Sequence, residues 1–162
     1  MTMSADTDIR GVLISTTGAR ILLPNTNVTE IITLASPEPV ADTPVWLLGR
    51  IPWRGWWVPL ISYAQLTGAE EPESTLHARV AVLKALGGRP HLPYLALLTQ
   101  GFPRLTTISA EALVIDERDE PLPFGASARV IVNDETALIP DLNTIESEVV
   151  KVLERSVADE LE

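Results

Sequence analysis

The sequence predicts a mainly β protein with a single helix at its C-terminal end. Three observations support this prediction: many short apolar and β-branched runs, closely spaced turn residues between them, and helical spacing of apolar residues only near the end of the chain. Strands do not alternate with helices, which argues against a parallel sheet of the dinucleotide-binding type. The pattern is typical of small barrels or a sandwich.

Ten segments have the composition and length of β-strands. Each is a short apolar or β-branched run bounded by residues such as Gly, Pro, Asn and Asp, which favour turns. The run at 28–34 also fits a short helical piece. The predicted strands cover residues 11–16, 19–23, 28–34, 45–51, 56–61, 78–86, 94–99, 105–108, 128–132 and 136–139.

Turn sequences join several of these strands into predicted hairpins. Thr17-Gly18 separates the first pair, and Asn133-Asp134-Glu135 separates the last pair. The link Pro52-Trp53-Arg54-Gly55 predicts a further tight hairpin whose tip displays Trp53 and Arg54. The segment 68–74 is acidic and poor in large apolar residues, so we expect a linker there.

The C-terminal segment carries the helix signals. Asp141 follows Pro140 and can accept a hydrogen bond from the first helical turn through its side chain. Apolar residues then recur at helical spacing, which predicts one buried stripe. This stripe consists of Leu142, Ile145, Val149, Val152 and Leu153.

Length and charge limit the classes of function. A chain of 162 residues fits one domain, predicted at 9–155 with flexible termini at 1–8 and 156–162. Its formal net charge of −10 repels nucleic-acid phosphates and anionic lipids. The absence of cysteine excludes disulfides, thiolate metal sites and cysteine nucleophiles. Since neither a signal peptide nor an apolar run of membrane-spanning length occurs, we expect a cytoplasmic protein.

The sequence offers little for catalysis, and we expect no enzyme activity, no cofactor and no metal. His77 and His91 are isolated from one another beside turn sequence, where surface histidines are common. A metal-dependent hydrolase is the alternative, using the four carboxylates that surround Arg118, but calcium-loop spacing is missing and a solvated loop fits better. These carboxylates are Asp116, Glu117, Asp119 and Glu120.

All four tryptophans lie between Trp46 and Tyr63. Strand alternation from Trp56 places it on one face with Val58 and Leu60, and places Trp57, Pro59 and Ile61 on the other. One face can be core, whereas exposed Trp and Arg favour a protein-binding surface. Two alternatives stay open at this point. The tryptophans could be core, or they could stack on a small ligand or a single-stranded nucleic acid through Trp53, Trp56 and Trp57.

The same region resembles the signature of CheW-like domains, in which a Gly and a short strand precede an Arg-Gly turn and a Val-Pro strand. The resemblance covers about residues 9–155. It also extends to a Val-x-Glu-Ile piece, a central apolar strand and the start of the terminal helix. The matching segments are Gly49, Trp53-Arg54-Gly55, Val58-Pro59-Leu60-Ile61, Gly68, Val28-Thr29-Glu30-Ile31, 96–102 and Pro140-Asp141-Leu142.

The resemblance implies two small SH3-like five-stranded β-barrels packed side by side, with a C-terminal helix. It implies a non-enzymatic adaptor that links chemoreceptors, at their cytoplasmic tips, to the regulatory domain of a CheA-type histidine kinase. By position, Arg54 resembles an arginine associated with receptor contact. Glu30 resembles a glutamate near the partner-facing surface. With Trp53 and Trp57, they form the predicted partner-binding set.

The chain departs from the family pattern at several polar positions. Pro52 stands where Asn is usual, Ser62 where Asp is usual, and Gln100 where Asp is usual, with Ala96 in place of Gly. The chain is therefore similar to a divergent member. Its tryptophans and acidic tail resemble the ChpC-type adaptors of type IV pilus (twitching) chemosensory systems.

Overall fold

The computed structural model describes residues 8–109, 111 and 113–161, with side chains as far as Arg155. Residues 1–7 of the N-terminus predicted to be flexible (1–8) lie outside this range. Within the described residues the chain forms eleven strands, two α-helices and one 3-10 turn. In chain order they are β1 (Ile9–Thr16), β2 (Ala19–Pro24), the 3-10 turn (Asn25–Asn27), β3 (Val28–Thr33), β4 (Leu47–Trp53), β5 (Trp56–Ile61), α1 (Tyr63–Leu66), β6 (Ala78–Lys84), β7 (Tyr94–Gln100), β8 (Arg104–Ile108), β9 (Leu113–Ile115), β10 (Ala126–Val132), β11 (Glu135–Pro140) and α2 (Leu142–Leu161).

The strands form two sheets. The first sheet has six strands in the order β8-β1-β2-β11-β10-β9, and the second has five in the order β3-β6-β7-β5-β4. Neighbouring strands are antiparallel except for β2 with β11 and β5 with β7, which are parallel. The mainly β prediction with one long C-terminal helix is confirmed. The first sheet exceeds the five strands expected of it because β9 adds along β10.

Two short elements were missed by the sequence prediction. Strand β9 has only three residues, and two of them, Val114 and Ile115, are exposed, so it shows no alternation. Helix α1 has only four residues, which is too short for a helical period. It begins because the Ser62 side chain caps it, accepting a hydrogen bond from the Gln65 amide at 3.3 Å.

Three apolar clusters form the core. One lies within each sheet, and the largest lies between the two sheets and α2. The predicted stripe of α2 is confirmed, because four of its five residues are buried and the fifth, Leu153, packs against the same cluster. Asp141 caps this helix through a 3.2 Å hydrogen bond from the Thr144 amide. No helix among the described residues is both long and apolar enough to cross a membrane.

The segment predicted as a linker is fixed at one point by a buried carboxylate. Glu73 accepts a 2.8 Å hydrogen bond from the Thr17 amide and a 2.7 Å hydrogen bond from the Ser62 hydroxyl. Ser62 adjoins the second sheet and Thr17 lies in the β1–β2 turn of the first. The segment is therefore a tie between the two sheets rather than a free linker.

A second tie between the sheets comes from α1. The hydroxyl of buried Tyr63 donates a 2.9 Å hydrogen bond to the carbonyl of Gly125, just before β10. Burial, with a smaller contribution from the Asp141 charge, raises the pKa of Tyr63 well above its ordinary value. The phenol therefore stays protonated and remains a hydrogen-bond donor.

Candidate functional site

The Trp-rich segment forms a tight hairpin. Cross-strand pairs run from Leu47 with Ile61 to Trp53 with Trp56, and leave Arg54 and Gly55 as a two-residue turn. Both turn residues have left-handed backbone conformations, with φ of 47° and 81°. Positive φ at both positions is typical of hairpin turns whose twist matches that of the flanking strands. The predicted four-residue link was therefore wrong in length.

Pro52 and Trp53 belong to β4 rather than to the turn. Pro52 is tolerated because β4 is an edge strand of the second sheet, where a missing amide donor costs no ladder bond. The prediction that Trp53 is displayed at the tip was wrong, because only 6% of the residue is exposed. Its ring packs edge-on against Tyr94, with centroids 4.7 Å apart, in the core of the second sheet.

The structure brings Glu30 and Arg54 together, although 24 positions separate them. Arg54 Nη2 lies 2.6 Å from Glu30 Oε1, and the guanidinium carbon lies 4.7 Å from the centroid of the Trp53 ring. Strands β3 and β4 are the two edges of the second sheet, so the contact between β3 and the β4–β5 turn requires that sheet to curl upon itself. The Trp53 ring therefore packs against the guanidinium of Arg54.

Trp57 lies on the opposite face of the β4–β5 hairpin from the paired residues Trp53 and Trp56. It is 53% exposed, pairs across the hairpin with Pro52, and its ring centroid lies 5.9 Å from the guanidinium carbon of Arg50. Trp56 is exposed and reaches Tyr94, with centroids 6.3 Å apart. We call Glu30, Arg50, Arg54, Trp56 and Trp57 the hairpin surface.

The predicted alternation along β5 is confirmed, but only part of the face that carries Trp57 is exposed. Val58 and Leu60 enter the core of the second sheet, whereas Ile61 enters the cluster between the sheets. Pro59 is also buried, which leaves Trp57 as the exposed apolar residue of its face. The three tryptophans do not form one stacking platform, because Trp53 is buried and the other two point in opposite directions.

In the acidic loop, Arg118 forms ion pairs with Asp116 and, more distantly, with Glu120. Asp116 accepts hydrogen bonds from the Arg118 amide at 3.1 Å and from Arg118 Nε at 2.8 Å. These bonds, with the charge of Arg118, lower the pKa of the Asp116 carboxyl. Within the part of the chain that the structure describes, no three His, Asp or Glu side chains gather as a metal site would require. His77 and His91 are both exposed.

Comparison with known proteins agrees with the fold. A family model of the CheW-like domain matches residues 10–149, so the chain belongs to the CheW-like family. Among solved structures it is similar to the scaffolding protein TtCheW from Thermoanaerobacter tengcongensis. The TM-score is 0.68 at 18% identity, over 83% of this chain and 89% of that one. No curated protein matched significantly.

Proposed function

We propose that this protein is a non-enzymatic, cytoplasmic adaptor that links chemoreceptors to a CheA-type histidine kinase. Support comes from the family and from the fold that the chain shares with a scaffolding protein. A scaffold requires binding surfaces rather than a catalytic centre. The hairpin surface is the best candidate for such a surface in the described structure.

The observation that carries the proposal is the conformation of Arg54. A residue with a side chain pays about 1–2 kcal/mol for left-handed backbone, and Asn, Asp or Gly would fill this turn more easily. Strain of this kind persists where a side chain serves a function. Its exposed ion pair with Glu30 is worth about 0–1 kcal/mol and its contact with the Trp53 ring about 0.5–1 kcal/mol, which together do no more than offset the strain, so a gain in fold stability does not explain the arginine.

The surroundings of Arg54 suit protein recognition. The ion pair and the Trp53 ring hold the guanidinium at the turn, while its remaining N–H groups can donate to a carboxylate of a partner. Trp56 and Trp57 add exposed aromatic area on either side of the hairpin. Trp and Arg are the residue types that most often dominate the energy of protein interfaces.

We further propose that the system served is of the type IV pilus (twitching) kind. This finer assignment depends on the resemblance of the Trp-rich, acidic chain to ChpC-type adaptors. Partner domains from such a system are therefore the first probes to use.

Charge reversal of Arg54, measured by isothermal titration, tests the adaptor proposal. We expect Arg54→Glu to weaken binding to the receptor tip or to the kinase regulatory domain by about tenfold or more. The change replaces a hydrogen-bond donor to the partner's carboxylate with a second carboxylate, which repels it. The melting temperature of the variant should change by only a few degrees, since an exposed ion pair contributes little.

Arg104→Glu provides a matched control. Arg104 Nη2 also lies 2.6 Å from a carboxylate, that of Glu135, and the side-chain exposures of 61% and 32% resemble the 64% and 38% of Arg54 and Glu30. This variant should bind both partners as the wild type does. Equal effects of the two variants, or collapse of the fold in Arg54→Glu, would contradict the role given to Arg54.

A further inference from the structure

The end of the second sheet opposite the hairpin turn also exposes large apolar side chains. At this end β6 begins and β3 and β7 finish, as the pairs Thr33 with Arg79 and Ala78 with Gln100 show. Leu76 is 80% exposed and Phe102 is 71% exposed. Beside Leu76 runs an open groove of about 410 Å³, between residues 33–37 and 75–79. We call Leu34, Leu76, Arg79 and Phe102 the distal patch.

Hydrogen bonds hold the two segments that present these side chains. The Gly101 amide donates to the His77 carbonyl at 2.9 Å, and the Gln100 side-chain amide donates to the Ser74 carbonyl at 2.9 Å. Leu76 and Phe102 each lie next to one of these anchored residues. Because hydrogen bonds already anchor the backbone of both segments, binding a partner would cost less conformational entropy there.

Arg79 gives the distal patch a positive charge that no neighbour neutralises. Its guanidinium carbon lies 4.7 Å from the centroid of the Phe102 ring, and its Nη1 donates to the Ala78 carbonyl at 3.1 Å. Within the described part of the chain, no carboxylate lies within 4 Å of it. Carboxylates do lie that close to Arg20, Arg54, Arg89, Arg104 and Arg118, whereas Arg10, Arg50 and Arg129 resemble Arg79 in having none among the described residues.

We propose that the distal patch is a second docking surface, for a partner protein segment that carries a carboxylate beside large apolar side chains. The apolar part would cover Leu76 and Phe102, and the carboxylate would pair with the guanidinium of Arg79. This inference rests on the proposed adaptor function and deepens it. Two surfaces at opposite ends of one sheet allow two partners to bind at the same time.

The experiment titrates two probes, the kinase regulatory domain and a receptor-tip fragment from the same organism, into the 162-residue chain. Variants Arg79→Glu and Phe102→Ser remove the charge and the apolar anchor separately. Their controls are Arg10→Glu and Phe124→Ser, which change exposed residues associated with the first sheet. Sedimentation of each variant alone records whether the chain self-associates.

We expect both distal variants to weaken one of the two probes by about tenfold or more. That probe should be the one whose binding Arg54→Glu leaves within about threefold of wild type, and neither control should affect it. The inference is overturned if the wild type binds and both distal variants bind as it does. It is also overturned if the distal variants abolish self-association instead, because the occupant is then a second copy. A wild type that binds neither probe would overturn the adaptor proposal itself.

Discussion

Arg54 combines an unfavourable backbone conformation with an exposed side chain. Its φ of 47° is one that glycine adopts without strain, and Gly55 beside it has a φ of 81°. An ideal hairpin would place Asn-Gly or Gly-Gly at these two positions. We therefore infer that the side chain of Arg54 is retained for contact with a partner rather than for stability.

Glycine at position 54 should separate the contribution of Arg54 to stability from its contribution to partner binding. We expect Arg54→Gly to change the free energy of unfolding by no more than about 1 kcal/mol, because relief of strain offsets the lost ion pair and the lost contact with the Trp53 ring. Partner affinity should fall about tenfold, as for the charge reversal. Urea denaturation and isothermal titration give the two quantities.

The neighbouring glycine is the control for this experiment. Gly55→Ala forces a side chain into the same left-handed region and should destabilise the protein by about 1 kcal/mol, although nothing beyond its two chain neighbours lies within 4 Å of the added carbon. If Arg54→Gly were as destabilising as Gly55→Ala, Arg54 would be a structural residue of the turn.

At the scale of elements, the short helix α1 and the segment after it hold the two sheets together. Ser62 caps α1 and donates to Glu73, and Glu73 also accepts from Thr17 in the first sheet. Tyr63 adds the bond to Gly125. In the family pattern an Asp is usual at position 62. In this chain the Ser62 hydroxyl caps α1, and the carboxylate at this position comes from Glu73.

Loss of the Glu73 carboxylate should destabilise the protein. In Glu73→Ala the buried Ser62 hydroxyl and the Thr17 amide lose their shared acceptor, at a cost of about 1–3 kcal/mol. Urea denaturation measures this loss. Glu71→Ala changes an exposed carboxylate of the same segment and should stay within about 0.5 kcal/mol of wild type. Equal stability of the two variants would show that Glu73 does not tie the sheets.

At the scale of the whole molecule, local patterns predicted most of the secondary structure. Alternation along β5 and the stripe of α2 were readable because each depends on residues close in sequence. The burial of Trp53 was not readable, because it depends on whether the turn takes two residues or four. Half of the predicted partner-binding set, Glu30 and Arg54, meets only through curling of the sheet, which no local pattern encodes.

The positions of the two proposed binding surfaces on the second sheet bear on the proposed adaptor function. The hairpin surface and the distal patch lie at opposite ends of the second sheet, and the ties at α1 fix that sheet against the first. On the proposed assignment, a partner bound at one end would leave the other end free. This arrangement favours bridging two proteins over exchanging one for another.

Sedimentation velocity on a mixture of the chain, a receptor-tip fragment and a kinase regulatory domain tests the adaptor claim most directly. At concentrations of about 10 µM, which suit interfaces of micromolar affinity, we predict one boundary that contains all three proteins. The same mixture without the chain should show the receptor tip and the kinase domain sedimenting separately. The claim is contradicted if each partner displaces the other from the chain, or if neither sediments with it.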